Sequence, residues 1–415
     1  MVNQLPQGWK EEELGKLADV SSGDSAPQSS SCFLNGSYPF CRTSDVGKIH
    51  RSSNFSEIED YINETAISKL HLFHRGTILF PKSGASTLLN HRVMLSIDSY
   101  VSSHLATIYA NSIDRYYLYY FLCTVDAKQL VPNLDYPSLK ISELKNIKVP
   151  YPTDKGEQDY IVKTLDAVAE MIKLRKETIQ LTKDLIPAIF HEMFGDPITN
   201  PKGWDKKNLG QVCDVRSGNA FPERYQGYTN GKPFYKVGDI SRTIEENHIY
   251  LDKAKNYITD EIAQIIKAKS FSKNTIVFAK VGEALRLNRR ALISKDAFID
   301  NNVMGVSIKE DCNDLHYLYL YYHFVCNINL NFIKKEGAIP SVNNKDINNL
   351  YLPIPPLSLQ KDFAKKVEQI NDYIIAQQEE LEQFETLFQS LLQEAFTGVL
   401  TWKYPRKECH DKKDQ

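Results

Sequence analysis

The sequence predicts a mixed α/β (α+β) chain built as an internal pseudo-twofold repeat, in which two globular domains are each followed by one long helix. Three observations carry this. Blocks of sequence recur in the same order about 200 residues apart; the first ~150 residues of each copy mix short β-branched and aromatic runs with Gly, Ser, Asn and Pro turns; and the stretches from Gln158 to about Phe194 and from Gln360 to about Phe396 are rich in Glu, Lys, Gln, Leu and Ile with no internal Gly.

The repeat comes first because it divides the chain. Gly8-Trp9 returns as Gly203-Trp204, Leu14-Gly15 as Leu209-Gly210, Asp19-Val20 as Asp214-Val215 and Ser22-Gly23 as Ser217-Gly218, all at an offset of 195 residues. Pro39-Phe40 then matches Pro233-Phe234, GTILFPKSGA from Gly76 matches NTIVFAKVGE from Asn274, and PSLKISELKNIKVPYP from Pro137 matches PSVNNKDINNLYLPIP from Pro340. Gln158 matches Gln360. Drifts in offset between blocks read as loop insertions. The boundaries that follow are a first domain at 1–152, a long helix within 153–199, a second domain at 200–355, a second long helix within 356–402 and a charged tail at 403–415.

The long segments read as helices with a coiled-coil seam. Apolar residues fall at Ile161, Leu165, Val168, Ile172 and Ile179 in the first, and at Phe363, Val367, Ile370, Ile374, Leu381, Phe384 and Phe388 in the second, with alternating spacings of four and three. The two seams coincide on a shift of 202 residues, and both are interrupted by a polar residue at one matched position, Arg175 and Gln377. Two spacers with equal apolar stripes are expected to bury them against one another; packing of each helix on its own domain is the alternative. The Tyr-rich runs at Tyr116–Tyr120 and Tyr317–Tyr322 lack strand alternation and follow Asp114 and Asp314, so they read as core-packing helices rather than base-stacking platforms.

Composition narrows the class. A chain of 415 residues with 42% hydrophobic content buries substantial cores, yet no run approaches the ~18–20 apolar residues of a membrane span. With a polar N-terminus, the expectation is a cytoplasmic protein without membrane contact. Seven cysteines, odd in number and without a CxxC pair, suggest reduced thiols and no zinc site. Catalytic signatures are missing too: no Asn/Asp-Pro-Pro-aromatic run, no GxGxxG, no GxxxxGK[ST], and His191-Glu192 has no second histidine for HExxH. The chain is therefore expected to be a non-enzyme that binds no cofactor itself.

A net charge of −2 does not announce a nucleic-acid binder, but local windows do. Residues 267–295 hold eight Lys or Arg against one acid, Glu283, and the matching window 69–97 holds four basic residues and no acid. The candidate DNA contacts are Lys82, Ser83, Asn90, His91 and Arg92 in the first copy and Lys280, Arg286, Asn288, Arg289 and Arg290 in the second. Arg42 and Lys236 represent the segments that diverge between copies. Arginine pairs bidentately with guanine or phosphate, lysine neutralises phosphate, and Asn reads adenine edges. The matched pairs Lys82/Lys280 and Arg92/Arg290 fit phosphate positioning, and base readers belong where the copies differ.

These features together, LPQGWKEEELGKLADVSSG against NPKGWDKKNLGQVCDVRSG, the paired domain-closing stretches and the helices after them, resemble the specificity (S) subunit of type I restriction-modification systems over Leu5 to about Trp402. The resemblance implies two target recognition domains, each reading one half of a split double-stranded DNA site, separated by helices paired as an antiparallel coiled coil. It implies two adenine-methylating M subunits as direct partners and R subunits joined through the complex, with S-adenosylmethionine used by M, and ATP and Mg used by R. The first domain closes on VPYPTDKGEQ rather than PIPPLSLQ, which departs from the second copy. A coiled-coil scaffold without DNA readout is the competing reading, and a self-sufficient DNA-modifying enzyme a third.

Overall fold

The structure, a computed structural model, describes residues 5–333 and 340–400; the tail from 403 and Trp402 lie outside the described residues. Contacts divide the chain into two compact units, Met1–Lys176 with Glu379–Gln415, and Glu177–Gln378. In the first unit the strands are β1 (Trp9–Glu13), β2 (Ala18–Ser22), β3 (Tyr38–Cys41), β4 (Arg51–Phe55), β5 (Tyr61–Ile62), β6 (Ile78–Pro81), β7 (Arg92–Leu95), β8 (Tyr100–Val101), β9 (Leu105–Ala110) and β10 (Lys148–Pro152). They form a five-stranded sheet ordered β2-β9-β6-β7-β4, a three-stranded sheet β5-β3-β8 and a pair β1-β10. Only β4 enters the larger sheet in parallel, beside β7.

The second unit repeats this strand for strand. Its strands are β11 (Asp205–Asn208), β12 (Cys213–Ser217), β13 (Lys232–Tyr235), β14 (Tyr250–Leu251), β15 (Tyr257–Ile258), β16 (Ile276–Ala279), β17 (Arg290–Ile293), β18 (Phe298–Ile299), β19 (Val303–Ile308) and β20 (Tyr351–Ile354). The sheets run β12-β19-β16-β17-β14, β15-β13-β18 and β11-β20, the same order in each case.

The central strands are covered on both faces, so they read as unbroken apolar runs instead of alternating ones. In β6, Ile78 and Phe80 enter a core shared with Tyr117, Tyr119 and Tyr120, while Leu79 points the other way to Cys41, Val46 and Phe55. In β16, Ile276 and Phe278 face Tyr319 and Tyr321, and Val277 faces Tyr235 and Ile240. The Tyr-rich runs form helices Arg115–Thr124 and Tyr317–Asn327 within these cores. Two hydroxyls are spent on backbone carbonyls in matched fashion: Tyr117 and Tyr319 donate to Pro150 and Pro353 at 2.8 Å. Asp114 caps the first of these helices through two backbone N–H groups, as expected. The second is capped by His316 Nδ1 rather than Asp314, which lies two residues too early to reach the helix's first N–H groups.

Two matched sequence features now have physical reasons. A Cβ on Gly23 would sit 2.3 Å from the Val101 carbonyl oxygen, and one on Gly218 would sit 2.0 Å from that of Ile299, so the repeated Ser-Gly marks a close backbone approach. Gln158 and Gln360 are buried where each domain meets its helix. Gln158 bonds the Pro152 carbonyl and the Asp114 N–H, and Gln360 bonds the Pro355 and Asp314 carbonyls and the His316 N–H.

The long helices run Lys155–Phe194 and Leu357–Thr397, about 60 Å each at 1.5 Å per residue, and Pro187 does not interrupt the first. Each unit takes the beginning of one and the end of the other. In the first unit Ile161, Val162 and Leu165 share the domain core with Phe388, Leu392 and Ala395. In the second, Ile186, Phe190 and Phe194 share it with Phe363, Ala364 and Val367. Within each unit the helices are thus antiparallel, and they pack on the domain as well as on one another. All twelve seam residues are buried or half-buried. In the first unit Arg175 pairs with Glu380 at 2.5 Å and Lys176 with Glu385 at 2.8 Å, across the two helices. In the second, Gln377 is buried with neither side-chain amide atom hydrogen-bonded.

Candidate nucleic-acid interface

The matched arginines are not surface groups. Arg92 opens β7 and is fully buried; its guanidinium donates to the His91 and Val125 carbonyls and lies 3.1 Å above the Phe80 ring centroid. Arg290 opens β17 and donates to the Asn288 carbonyl, the Asn288 amide oxygen and the Ile328 carbonyl. Burial pulls their pKa values down, to about 9 and about 10. Arg92 is 0% and Arg290 4% exposed, so the phosphate-positioning role read for this pair is corrected to a structural one. The matched asparagines are corrected with them. Asn90 and Asn288 both hold φ of +54°, a left-handed turn that Asn tolerates, and both amide oxygens are engaged internally. Asn90 bonds Asp126 and the Ala127 N–H, and Asn288 bonds Arg290 and the Leu330 N–H.

Several other candidates are engaged by neighbours. Arg42 donates to Asp60 and lies against the Phe33 and Phe40 rings. Lys236 Nζ donates to the Gln226 amide oxygen at 3.2 Å. Arg286 pairs with Glu283 at 3.1 Å on an exposed turn, and Arg289 with Glu245 at 2.7 Å. At the position matching Arg289, the first domain has His91 with its Nε2 2.8 Å from His50 Nδ1. Burial, and then the neighbouring His50, hold the His91 pKa down.

Lys82, Ser83 and Lys280 lie elsewhere, on a rim where strand ends converge. The chain leaves β6 through Lys82, whose N–H donates to the His104 carbonyl at 2.9 Å and whose carbonyl accepts from Leu139 N–H at 2.8 Å. Lys280 leaves β16 in the same frame, between the Asn302 carbonyl and the Val342 N–H, both at 2.9 Å. Ser83 bridges Ser138, and Val281 bridges Ser341. Beside them stand the ends of β2 and β12: Ser22 Oγ donates to the Ser103 carbonyl at 3.3 Å, and Lys280 Nζ donates to Ser217 Oγ at 2.9 Å.

The next residues extend the rim. Asp24 accepts from the His71 N–H at 2.6 Å and lies 3.1 Å from its Nδ1. Asn219 does the corresponding work, donating to the Lys267 carbonyl at 3.0 Å and accepting from the Lys269 N–H at 3.1 Å. Asp24 also bridges Ser102, and Asn219 bridges Asp300, which closes the circuit to His104 and Asn302. Lys69 and Lys267 are exposed on this rim, Lys82 and Lys280 half-exposed, and among the described residues none of the four is in a salt bridge. His104 and Asn302, both exposed, are the rim residues that sequence reasoning missed.

The comparisons with known proteins agree with the duplicated architecture. The family described as "Type I restriction modification DNA specificity domain" matches twice, over residues 6–183 and 201–386. The type I restriction enzyme MjaIX specificity subunit of Methanocaldococcus jannaschii is 24% identical, over 96% of this chain and 95% of its own. The EcoDI specificity subunit of Escherichia coli is 22% identical, over 96% and 90%. Among solved structures, a chain from a type I R-M system assembly superposes with a TM-score of 0.59 at 18% identity, over 96% of this chain and 100% of its own. The S subunit from M. genitalium follows at 0.50 and 15%, over 95% and 98%. With one family match per domain-and-helix repeat and relatives aligned nearly end to end, the chain belongs to the type I restriction-modification DNA specificity family.

Proposed function

We propose that this chain is the DNA sequence-specificity subunit of a type I restriction-modification complex and reads a split double-stranded site, one half per recognition domain. The observation that carries the reading is one fold present twice, strand for strand, with rims that are partly alike and partly different. Likeness suits a common backbone ligand, and difference suits two base sequences. The scaffold alternative leaves the matched unpaired lysines without a purpose.

Two similar surfaces bind two copies of one partner, so two adenine-methylating M subunits are expected, with R subunits joined through the complex. The chain is the non-catalytic member. S-adenosylmethionine belongs to M, and ATP and Mg to R. The complex works in the cytoplasm, where the DNA is; among the described residues no helix is long and apolar enough to cross a membrane. The test is to purify the chain with its methyltransferase, weigh the intact complex and map methylated adenines in the host genome. Two methyltransferases per chain and a two-part motif with a fixed gap are expected. A single uninterrupted motif, or DNA affinity indifferent to salt, would overturn the proposal.

A further inference from the structure

We infer that the strand-end rim is the edge of each domain that meets DNA, with Lys69, Lys82, Lys267 and Lys280 holding phosphates while His104 and Asn302 each read a base. The inference rests on the proposed function and assigns it to particular side chains. Lys82 and Lys280 share one backbone frame, set by the same two hydrogen bonds in each domain. Among the described residues no carboxylate neutralises them, whereas Arg42, Arg286 and Arg289 are each tied to an acid. Lys69 and Lys267 stand on the same rim, next to segments pinned by Asp24 and Asn219. A cation kept in place in both copies and left without an acid partner fits a ligand present in both half-sites, which is phosphate.

The carbonyls that anchor these lysines belong to His104 and Asn302, so the differing side chains sit one residue pairing away from the matched cations. His104 is oriented by Ser83, whose Oγ is 2.6 Å from its Nδ1, which leaves Nε2 to meet a base edge. Ser83 becomes Val281 in the other copy, where no such brace is needed because Asn302 presents a donor and an acceptor from one planar amide, the pattern that matches adenine. The two domains thereby offer different hydrogen-bonding groups from one equivalent position.

The experiment uses the complex with its methyltransferase, maps the methylated motif for the unaltered chain and for His104→Ala and Asn302→Ala, and measures DNA affinity against salt for Lys82→Ala and Lys280→Ala. Each alanine at 104 or 302 should relax one base position in one half-site, and in opposite halves, with a loss of discrimination of roughly ten- to a hundredfold at that position. Each lysine variant should weaken binding to all sites and lower the salt slope by about one without changing the motif. Thermal melting matched to the unaltered chain keeps misfolding out of the comparison. A gapped motif from the unaltered chain that stays unchanged in both alanine variants, together with an unchanged salt slope, overturns the rim assignment. Failure of the unaltered complex to produce any gapped motif overturns instead the function on which it rests.

Discussion

His323 makes the second unit sensitive to acid. It lies inside the helix Tyr317–Asn327, 3% exposed, beside Phe190 and Tyr319, with Asn327 3.2 Å from its Nδ1. Burial pushes its pKa down from the ordinary value near 6.5 to about 4. Above 6.5 the ring is neutral whether the chain is folded or not, and nothing is lost. Below 6.5 the unfolded chain takes a proton that the native one refuses until about pH 4, so native stability drains away across that window as the pH falls. At 1.36 kcal/mol per unit, the loss between pH 7 and pH 5 is about 2 kcal/mol. For a unit of this size that amounts to about 4–8 °C in melting temperature. The first domain carries Phe121 at the corresponding position of its own helix, which makes His323→Phe the natural variant. That variant forfeits the contact with Asn327 and loses some stability at pH 7, so the informative quantity is the slope. Urea unfolding of the second unit followed from pH 7 to pH 5 should fall about 2 kcal/mol less steeply in the variant. Parallel curves for the two proteins would refute the reasoning.

Gln377→Met replaces a buried amide without hydrogen bonds by an apolar side chain of similar shape, and should stabilise the second unit by about 1–3 kcal/mol in a denaturant titration; a lower midpoint would mean that the amide has a partner in solution. Gly218→Ala drives a methyl group into the Ile299 carbonyl and should cost about 1–3 kcal/mol or more, read as a melting temperature, while Gly238→Ala, with open space around it, should cost far less. Arg290→Met should destabilise the second unit by leaving the Asn288 and Ile328 carbonyls unpaired, yet the salt slope of DNA binding by the complex should stay put, since the arginine is buried.

Much of the architecture was legible because it depends on periodicity and repetition. The long helices, their coinciding seams, the Tyr-rich core helices and the junction glutamines all leave a mark at fixed spacing, and burial respects that mark. The candidate site was legible only in part. Arg92 and Arg290 were read as cations facing a common ligand, but matching between copies also preserves what a shared core demands. They open strands RVML and RALI, in which all four residues are buried, and that company was the available warning. Asn90 and Asn288 matched for the sake of a left-handed turn. His104 and Asn302 escaped notice for the opposite reason. They differ between copies, and only the ladder from β6 to β9 and from β16 to β19 brings them beside Lys82 and Lys280.

The division of the long helices between units has a consequence for synthesis. The second unit is one continuous stretch, Glu177–Gln378, and has all its parts once that stretch has left the ribosome. The first unit is made earlier but lacks Phe388, Leu392 and Ala395 until the last part of the chain is translated. At about 5–20 residues per second, the stretch from Lys176 to Glu379 keeps it waiting for some 10–40 s. During that interval Ile161, Leu165, Tyr117 and Phe121 have an open side, so the domain synthesised first is the one finished last, and the nascent chain exposes its apolar surface at the N-terminal domain.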